Sequence, residues 1–511
     1  MSQAETATAE SGKQPAPKAY SASTWAMHKW AMGAGADYWM YMQFATIMVV
    51  FTTAFKLDVR LVGIALFIPR IFDGLLDPLI GHLSDNTHTR WGRRRPFLFC
   101  ATILGAVLAT ALWWASPSWP QWALCTWVAI FATLLFTVWG TYQMTFNALG
   151  YELSDDYNDR SRVFAIRGVY AAIMSVGGGY FYWLAIALGQ GLRWPLRIGG
   201  FHWDLTIPSV GGEINGIRIV SGIAGVIILA SGLIPVFCCR ERFVKANRKH
   251  VNLWKACLAT LSNRTFSLLL VRQIIGSLGG VTGAMATFIS IYYVCRGDKA
   301  LSMAVGAGLG GLAGLVYAFV LLPLAKPLTK FFGKRLAMIL GACWGMVSLL
   351  VMILITKPGN IYIITFSGLA LGLIGTILGG GAISIGPDIC DIDELEYGER
   401  REGLFTAVGS FVSKLENSIM MLTGTWFLAY CGFNKDLPVQ SPEVLNKMVW
   451  LFFTPPIITG IVTLIITFYI PVYSEQKMAV VRAALEQRRA EAAAAEAAAS
   501  RNDKGDVASP V

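Results

Sequence analysis

The sequence predicts an all-α membrane protein with twelve transmembrane helices in two six-helix halves. First, apolar residues make up 55% and charged residues 14% of its 511 residues, against about 45–50% and about 25% in soluble domains. Second, the apolar residues come in runs of about 20, enough for a helix to cross a bilayer, whereas barrel strands alternate. Third, two charged motifs recur at an offset of about 240 residues. These observations exclude a soluble chain, as does the mean hydropathy of +0.54.

Twelve apolar runs have the length of a membrane span. They are residues 30–55, 60–83, 97–115, 120–146, 164–189, 217–238, 267–294, 303–325, 336–355, 360–384, 402–430 and 448–472. The predicted parts are a disordered N-terminal tail at 1–28, a first half at 29–239, a connector at 240–266, a second half at 267–473, and a partly helical C-terminal tail at 474–511.

The positive charge of the chain, +11, is concentrated in loops. The loops after spans 2, 4, 6, 8 and 10 carry 19 Lys and Arg residues, against at most ten on the opposite side. The positive-inside rule therefore places the connector and both termini in the cytoplasm. This distribution predicts a multi-pass protein of the cytoplasmic (inner) membrane, in contact with membrane lipid and not with nucleic acid.

The recurring motifs indicate two parallel halves. The segment 91–95 after span 2 has an echo at 332–335 after span 8, and the acidic segment 152–162 after span 4 has an echo at 391–401 after span 10. Parallel halves of six helices are the plan of the major facilitator fold, in which the substrate site lies between the halves near the middle of the membrane.

Two carboxylates lie inside span 2, where an ionisable residue costs about 2.5–3.5 kcal/mol at the bilayer centre. Asp73 and Asp77 are four residues apart, so they share a helix face and repel each other unless a cation or proton lies between them. Pro78 lacks an N–H and frees the carbonyl of Gly74. Asp73, Asp77 and Gly74 thus predict a site for Na+ or H+. The alternative is an ion pair of Arg70 with Asp73 that leaves Asp77 protonated.

Asp37 lies in span 1, within a stretch of small residues that permits close approach of a helix or ligand. Tyr38 and Tyr41 follow it. A carboxylate among aromatic rings suits a sugar, because the carboxylate accepts hydroxyl hydrogen bonds while a ring stacks on the apolar sugar face. The alternative is a structural ion pair of Asp37 with Lys414 or Arg167.

Charged clusters follow spans 2 and 10, where charges can clamp neighbouring helix ends in one state and release them in another. We therefore predict gating roles for both clusters. Their residues are Asp85, Arg90 and Arg93 after span 2, and Asp388, Asp391 and Arg400 after span 10. The sequence contains no Walker A pattern, no His–Glu metal motif and no plausible catalytic triad, so we expect neither an enzyme nor a bound cofactor.

Lys414 lies about 12 residues inside span 11, which is ~18 Å from the cytoplasmic end of a helix. An unpaired ammonium there would be expensive, so we expect Asp73 or Asp77 as its partner when the cation is absent. The alternative is a lysine that snorkels to the cytoplasmic face.

Two segments resemble the signatures of a known family. Residues 70–81 with 85–96, and residues 387–405 continuing to Lys414, are similar to signatures of the glycoside–pentoside–hexuronide:cation symporters, the melibiose permease-like family of the major facilitator superfamily. The resemblance extends from about Lys29 to span 12. It implies that Asp73 and Asp77 bind the coupling cation and that Asp37 binds sugar.

The resemblance also implies roles for Arg167 and Lys414, which fall on the family's characteristic basic residues. Two positions depart from melibiose permease, which has Asn where this chain has Leu76 and a second sugar-binding Asp where this chain has Gln143. Leu76 shifts the expectation from Na+ toward H+, and Gln143 argues against melibiose-like specificity.

We therefore expect a monomeric secondary active transporter that carries a sugar or glycoside together with Na+ or H+ by alternating access. The coupling ion is the only inorganic partner expected. Two alternatives remain open at this point: a carrier of a lysolipid or other amphiphile with the same fold, and a non-transporting membrane sensor.

Overall fold

The helices of this chain follow its long apolar runs, because a backbone in lipid must satisfy its own hydrogen bonds. A computed structural model describes residues 23–87, 89–154, 157–198, 201–239, 264–316, 331–383, 385–397, 402–470, 477–488 and 490–491. In the first half the elements are α1 (Thr24–Ala31), α2 (Ala34–Thr53), α3 (Val59–Asn86), α4 (Arg95–Ala111), α5 (Gln121–Tyr151), α6 (Tyr157–Gly179), α7 (Phe181–Gln190), β1 (Leu192–Ile198), β2 (Phe201–Ile207) and α8 (Glu213–Cys238).

The described residues of the second half form helices and the short turns between them. Its helices are α9 (Arg264–Leu278), α10 (Lys299–Val316), α11 (Lys334–Ile355), α12 (Ile361–Ile383), α13 (Ile385–Tyr397), α14 (Glu402–Tyr430) and α15 (Pro442–Tyr469). Helix α9 continues to Val294 through a 3-10 segment, Gly279–Met285, and a π-helical segment, Ile289–Val294. Residues 477–488, here named the tail helix, are also helical.

In its described residues, each of the twelve predicted spans overlaps at least one of these helices. Among the described residues, seven helical segments are long and apolar enough to cross a membrane: Arg95–Trp114, Gln121–Tyr151, Arg162–Gln190, Glu213–Cys238, Arg264–Val294, Lys334–Ile355 and Pro442–Tyr469. The membrane crossings of α2, α3, α10, α12 and α14 stay predictions. The all-α fold class is confirmed apart from one hairpin.

The β-hairpin is the departure from the all-α prediction. Strands β1 and β2 pair antiparallel, with Leu192 opposite Ile207 and Ile198 opposite Phe201. Both strands alternate apolar and polar residues, and Gly199-Gly200 stands between them in the sequence, which is the pattern of a hairpin. A search for long apolar runs cannot find such a period of two.

The described end of the predicted N-terminal tail, 1–28, is helical. Helix α1 begins at Thr24, and the hydroxyl of Ser23 caps it by accepting a hydrogen bond from the Ala26 amide. Trp30 is fully buried and donates its indole N–H to the carbonyl of Phe146 on α5, at 3.0 Å. Within the segment, Met27 is buried in the core of the first half, so the described part of this segment is folded.

The two halves touch where α3 of the first half packs against α14 of the second. At Gly63 the helices are so close that any side-chain carbon would collide with the hydroxyl of Thr425. In the predicted topology, spans 2 and 11 cross the membrane in opposite directions, and this contact lies toward the outer end. The absence of a side chain at position 63 is thus what allows the two halves to meet there.

Polar contacts join the halves at the same predicted outer end. Lys56, after α2, donates to the carbonyl of Lys435 at 2.6 Å, and Lys435 donates in return to the carbonyl of Lys56. Glu213, at the start of α8, pairs with Lys299, at the start of α10, at 3.4 Å. The described outer end is therefore closed by contacts that cross between the halves.

Candidate functional site

The first candidate site is built around Asp37, in the first turn of α2. One carboxylate oxygen of Asp37 accepts the indole N–H of Trp139 at 2.9 Å, and the other pairs with the Arg167 guanidinium at 2.8 Å. The side chains of Asp37 and Arg167 are 14% and 20% exposed, so the pair is largely buried and still reachable. Asp37 and Arg167, both predicted from the sequence as site residues, are therefore in direct contact in the structure.

The arrangement holds Arg167 in a fixed orientation. Its guanidinium also donates to the side-chain oxygen of Asn147 and lies 5.3 Å from the ring centroid of Phe146. A guanidinium bound in this way presents its remaining N–H groups in a defined direction. The ion pair is therefore compatible both with a binding site and with the purely structural pair considered above.

Helix α5 supplies one face of this site. Trp139, Gln143 and Asn147 are spaced by four residues, so Gln143 lies one turn from Trp139, which contacts Asp37, and one turn from Asn147, which contacts Arg167. Tyr41, which is 39% exposed, packs against the Trp139 ring with a centroid distance of 5.5 Å. The predicted residues Asp37, Tyr41, Gln143 and Arg167 therefore belong to one region of the first half.

Tyr38 lies beside this region, at the contact of α2 with α6. A side chain at Gly178 would collide with the Tyr38 ring. Tyr38 is half-buried, and its ring packs on the backbone of α6. The structure thus gives Tyr38 a packing contact between helices in addition to its position next to Asp37.

The predicted cation site lies on α3. The helix runs without interruption through Pro78, so positions 73 and 77 lie one turn apart on it. The side chains of Asp73 and Asp77, and with them the predicted ligands, lie outside the described residues, as does the environment of Gly74. Arg70 lies over two rings of the first half, with its guanidinium 5.1 Å from the centroid of Phe44 and 4.2 Å from that of Phe136.

The register of α3 and α14 brings Lys414 to the level of this region. Lys414 is eleven residues from Thr425, and Gly74 is eleven residues from Gly63. Eleven residues are close to three helical turns and ~16 Å, so both positions lie on the faces that meet at the Gly63–Thr425 contact. With antiparallel helices, Lys414 and position 74 are therefore at the same height.

The charged clusters after spans 2 and 4 meet in space. Arg93 and Arg94 both pair with Glu152, at 2.8 and 2.9 Å. In the second half Lys334 pairs with Asp388 at 2.5 Å. The two ion-paired clusters follow spans 2 and 4 in one half and spans 8 and 10 in the other, as expected for parallel repeats.

The remaining predicted gating residues differ in their surroundings. Asp388 and Asp391 both pair with Arg482 of the tail helix, at 3.2 and 3.6 Å. Arg90 is exposed in a turn. The Asp85 side chain and Arg400 lie outside the described residues.

Sequence reasoning missed several residues of these clusters. Trp139 and Asn147 were detectable, since they continue the four-residue spacing of Gln143 on one face of span 4. Glu152 was included only as part of an acidic repeat. Arg482 had no usable signal, because its role depends on where the tail helix packs.

Comparisons with known proteins agree with this architecture. A family model described as MFS/sugar transport protein matches residues 30–474. The isoprimeverose transporter of Lactiplantibacillus pentosus is 25% identical over 459 residues, covering 87% of this chain and 87% of that protein. The sodium-dependent lysophosphatidylcholine symporter 1-A of Danio rerio is 23% identical over 483 residues, covering 89% and 87%. The crystal structure of a mutant of the nucleoside transporter NupG aligns with a TM-score of 0.58 at 9% identity, covering 86% of this chain and 99% of that one.

Proposed function

Because the chain belongs to the MFS/sugar transport protein family and is a membrane transporter, we propose that it carries a sugar or glycoside together with Na+ or H+ by alternating access. The observation that carries this proposal is the ion pair of Asp37 and Arg167 beside Trp139. Relatives named as transporters of isoprimeverose and as glycoside/cation symporters support the same substrate class.

The Asp37 region has spare hydrogen-bonding capacity suited to hydroxyl groups. A carboxylate has about four lone-pair sites, and on Asp37 one is used by Trp139 and one by Arg167. The remaining sites accept hydroxyl hydrogens, the free guanidinium N–H groups of Arg167 donate to hydroxyl oxygens, and Gln143 can do both. Tyr41 and Trp139 supply aromatic surface for the apolar face of a sugar ring.

Coupling would run through α3 and α14. Asp73, Asp77 and the Gly74 carbonyl bind the cation, and Lys414, at the same height, pairs with a carboxylate when the cation is absent. A single charge moved across 100 mV contributes about 2.3 kcal/mol, equivalent to roughly fifty-fold accumulation. Relatives named as cation or sodium-dependent symporters support a coupling ion.

The proposed location is the inner membrane of the cell. In the proposed orientation, both termini and the connector lie in the cytoplasm. The distribution of Lys and Arg among the loops supports it. In this orientation the Lys56–Lys435 contact faces outward, and the clusters of Glu152 and Asp388 face the cytoplasm.

The test is transport by the purified protein in proteoliposomes with imposed Na+ or H+ gradients, using a panel of labelled sugars and glycosides. We expect one gradient to drive accumulation and an ionophore to abolish it. Asp37→Asn should reduce uptake at least tenfold, whereas Glu443→Gln, at an exposed pair with Lys447, should leave it unchanged. The proposal would be contradicted if neither the Na+ nor the H+ gradient drove accumulation of any sugar or glycoside, or if Asp37→Asn kept full activity.

A second candidate function is transport of a lysolipid. The similarity to the lysophosphatidylcholine symporter of Danio rerio favours it. Proteins of one fold can carry different substrates, so the family alone does not decide between a sugar and a lysolipid. A zwitterionic head group would place its positive charge near Asp37 and its phosphate near Arg167. The same proteoliposome assay discriminates the two, since competition by a lysophospholipid and not by glycosides would replace the first proposal with the second.

A further inference from the structure

Glu416 is a carboxylate in the middle of α14, a helix predicted to cross the membrane, and neither the proposed substrate site nor the proposed cation site uses it. It stands fourteen residues from each end of α14, Glu402 and Tyr430, or ~21 Å along the helix. Its carboxylate is directed at α9, where it contacts Gln273 and Ser277. An ionisable residue at this depth is costly and calls for a physical explanation.

The hydrogen bonds of Glu416 fall on one oxygen only. Oε2 accepts the Ser277 hydroxyl at 2.7 Å and the Gln273 amide at 3.4 Å. Oε1 is buried and has no hydrogen-bond partner among the described residues. The Gln273 amide also donates to Ser413 at 2.8 Å, and Ser413 in turn donates to the Gly409 carbonyl, so these neighbours are fixed around Oε2.

No Lys or Arg nitrogen of the described residues forms a salt bridge with Glu416. Arg272 on α9 donates instead to the hydroxyl of Thr467 on α15, at 3.0 Å. Lys414, two residues from Glu416, is about 200° around the helix and lies on the face directed at α3. The charged residues of the elements packed against α14 are Arg264 and Arg272 on α9, Arg60, Arg70, Asp73, Asp77 and Asp85 on α3, and Asp388, Asp391, Asp393, Glu394 and Glu396 on α13.

An ionised carboxylate does not suit this environment. Its charge would be compensated by two neutral donors on one oxygen, while the other oxygen would lose its hydration with nothing in exchange. A hard metal cation takes a shell of oxygen ligands, but Gln273 presents its N–H group here. Protonation of Oε1 removes the charge and keeps Oε2 as the acceptor of both hydrogen bonds.

We propose that Glu416 is a proton-binding site in the second half of the transporter, separate from the carboxylates of α3. It is protonated in the conformation described here, with the Ser277 and Gln273 hydrogen bonds on its carbonyl oxygen. Helix α14 thus carries a lysine on the side that meets the first half and a protonated carboxyl on the side that meets α9. This site does not depend on which substrate or coupling ion the protein uses.

The test is infrared spectroscopy of the purified, reconstituted protein, which detects the C=O stretch of protonated carboxyl groups without any transport assay. At neutral pH we expect a protonated-carboxyl band that Glu416→Gln loses and that the control Glu443→Gln retains. Ser277→Ala removes a hydrogen bond from the carbonyl oxygen and should move this band to higher frequency.

Spectra of Glu416→Gln and the unsubstituted protein that are identical in the protonated-carboxyl region would overturn the proposal. If Glu416→Gln fails to fold, Glu416→Asp and Ser277→Ala decide, because both keep a carboxyl group and must change the frequency of the band. An unchanged band in both variants would equally contradict a proton at Glu416. Failure of sugar transport leaves this spectroscopic result unaffected.

Discussion

The indole N–H of Trp139 orients the carboxylate of Asp37 while leaving room for a ligand, so it is a sensitive probe of the site. Trp139→Phe removes this hydrogen bond and keeps an aromatic ring. The loss of one hydrogen bond to a charged group, about 1.5 kcal/mol, should raise the KM for the transported sugar about tenfold. The measurement is initial uptake against sugar concentration.

Trp127→Phe is the matched control for that substitution. Trp127 is also on α5 and also donates its indole N–H, to the carbonyl of Leu112 at 3.0 Å, but it lies three turns away from the site. Equal effects of the two substitutions on KM would show that Trp139 acts through helix packing and not through Asp37.

The ion pair of Asp37 and Arg167 gives a second prediction for single residues. Arg167→Gln leaves a largely buried carboxylate without its cation, which costs more than removing both charges. We therefore expect Arg167→Gln to lower the thermal unfolding temperature more than the double substitution Asp37→Asn with Arg167→Gln. A double variant less stable than Arg167→Gln alone would contradict the expected coupling.

At the scale of elements, the tail helix is bound to the body of the protein. Met478, Val481 and Leu485 are buried against Ile392 and Leu395 of α13. Their spacing, i, i+3 and i+7, is the pattern of an amphipathic helix. Arg482, on the same face, pairs with Asp388 and Asp391, so the tail helix closes over the ion-paired cluster that follows span 10.

Leu485→Glu should release the tail helix, since a carboxylate in the apolar contact would lose its hydration. We expect limited proteolysis to cleave near residue 477 several-fold faster than in the unsubstituted protein. Ala483→Glu is the control, because Ala483 is exposed on the opposite face. Equal cleavage rates for the two variants would argue against the packing described here.

The sequence was sufficient to predict elements whose signal lies in a single stretch of residues. It was not sufficient for contacts that depend on how distant helices pack against each other. Long apolar runs identified the helices, because run length alone decides whether a helix spans a bilayer. The hairpin β1–β2 was missed because its apolar residues alternate with polar ones and form no long apolar run. The pairing of Asp37 could not be chosen between Arg167 and Lys414, since both are basic residues in other spans and the choice depends on helix packing.

At the scale of the whole molecule, the contact of Lys56 with Lys435 joins the halves at the predicted outer end. Replacing both residues with cysteine, in a background without the native cysteines, should permit a disulfide that holds this end closed. We expect oxidation to abolish transport and a reductant to restore it, because alternating access requires the outer end to open.

Each single-cysteine variant serves as the control and should keep transport after oxidation. The measurements are uptake into proteoliposomes and the shift of the cross-linked protein on a non-reducing gel. Full transport by the cross-linked protein would show that the outer end does not separate at Lys56 and Lys435 during the cycle.

The same contact joins two side chains of like charge. Each ammonium binds the carbonyl of the other residue, so closing the outer end brings two positive charges together near water. Dissolved salt screens such repulsion beyond about 10 Å at 0.1 M. We therefore expect the ionic strength of the medium outside to change the balance between outward-open and outward-closed protein, with low ionic strength favouring the open form.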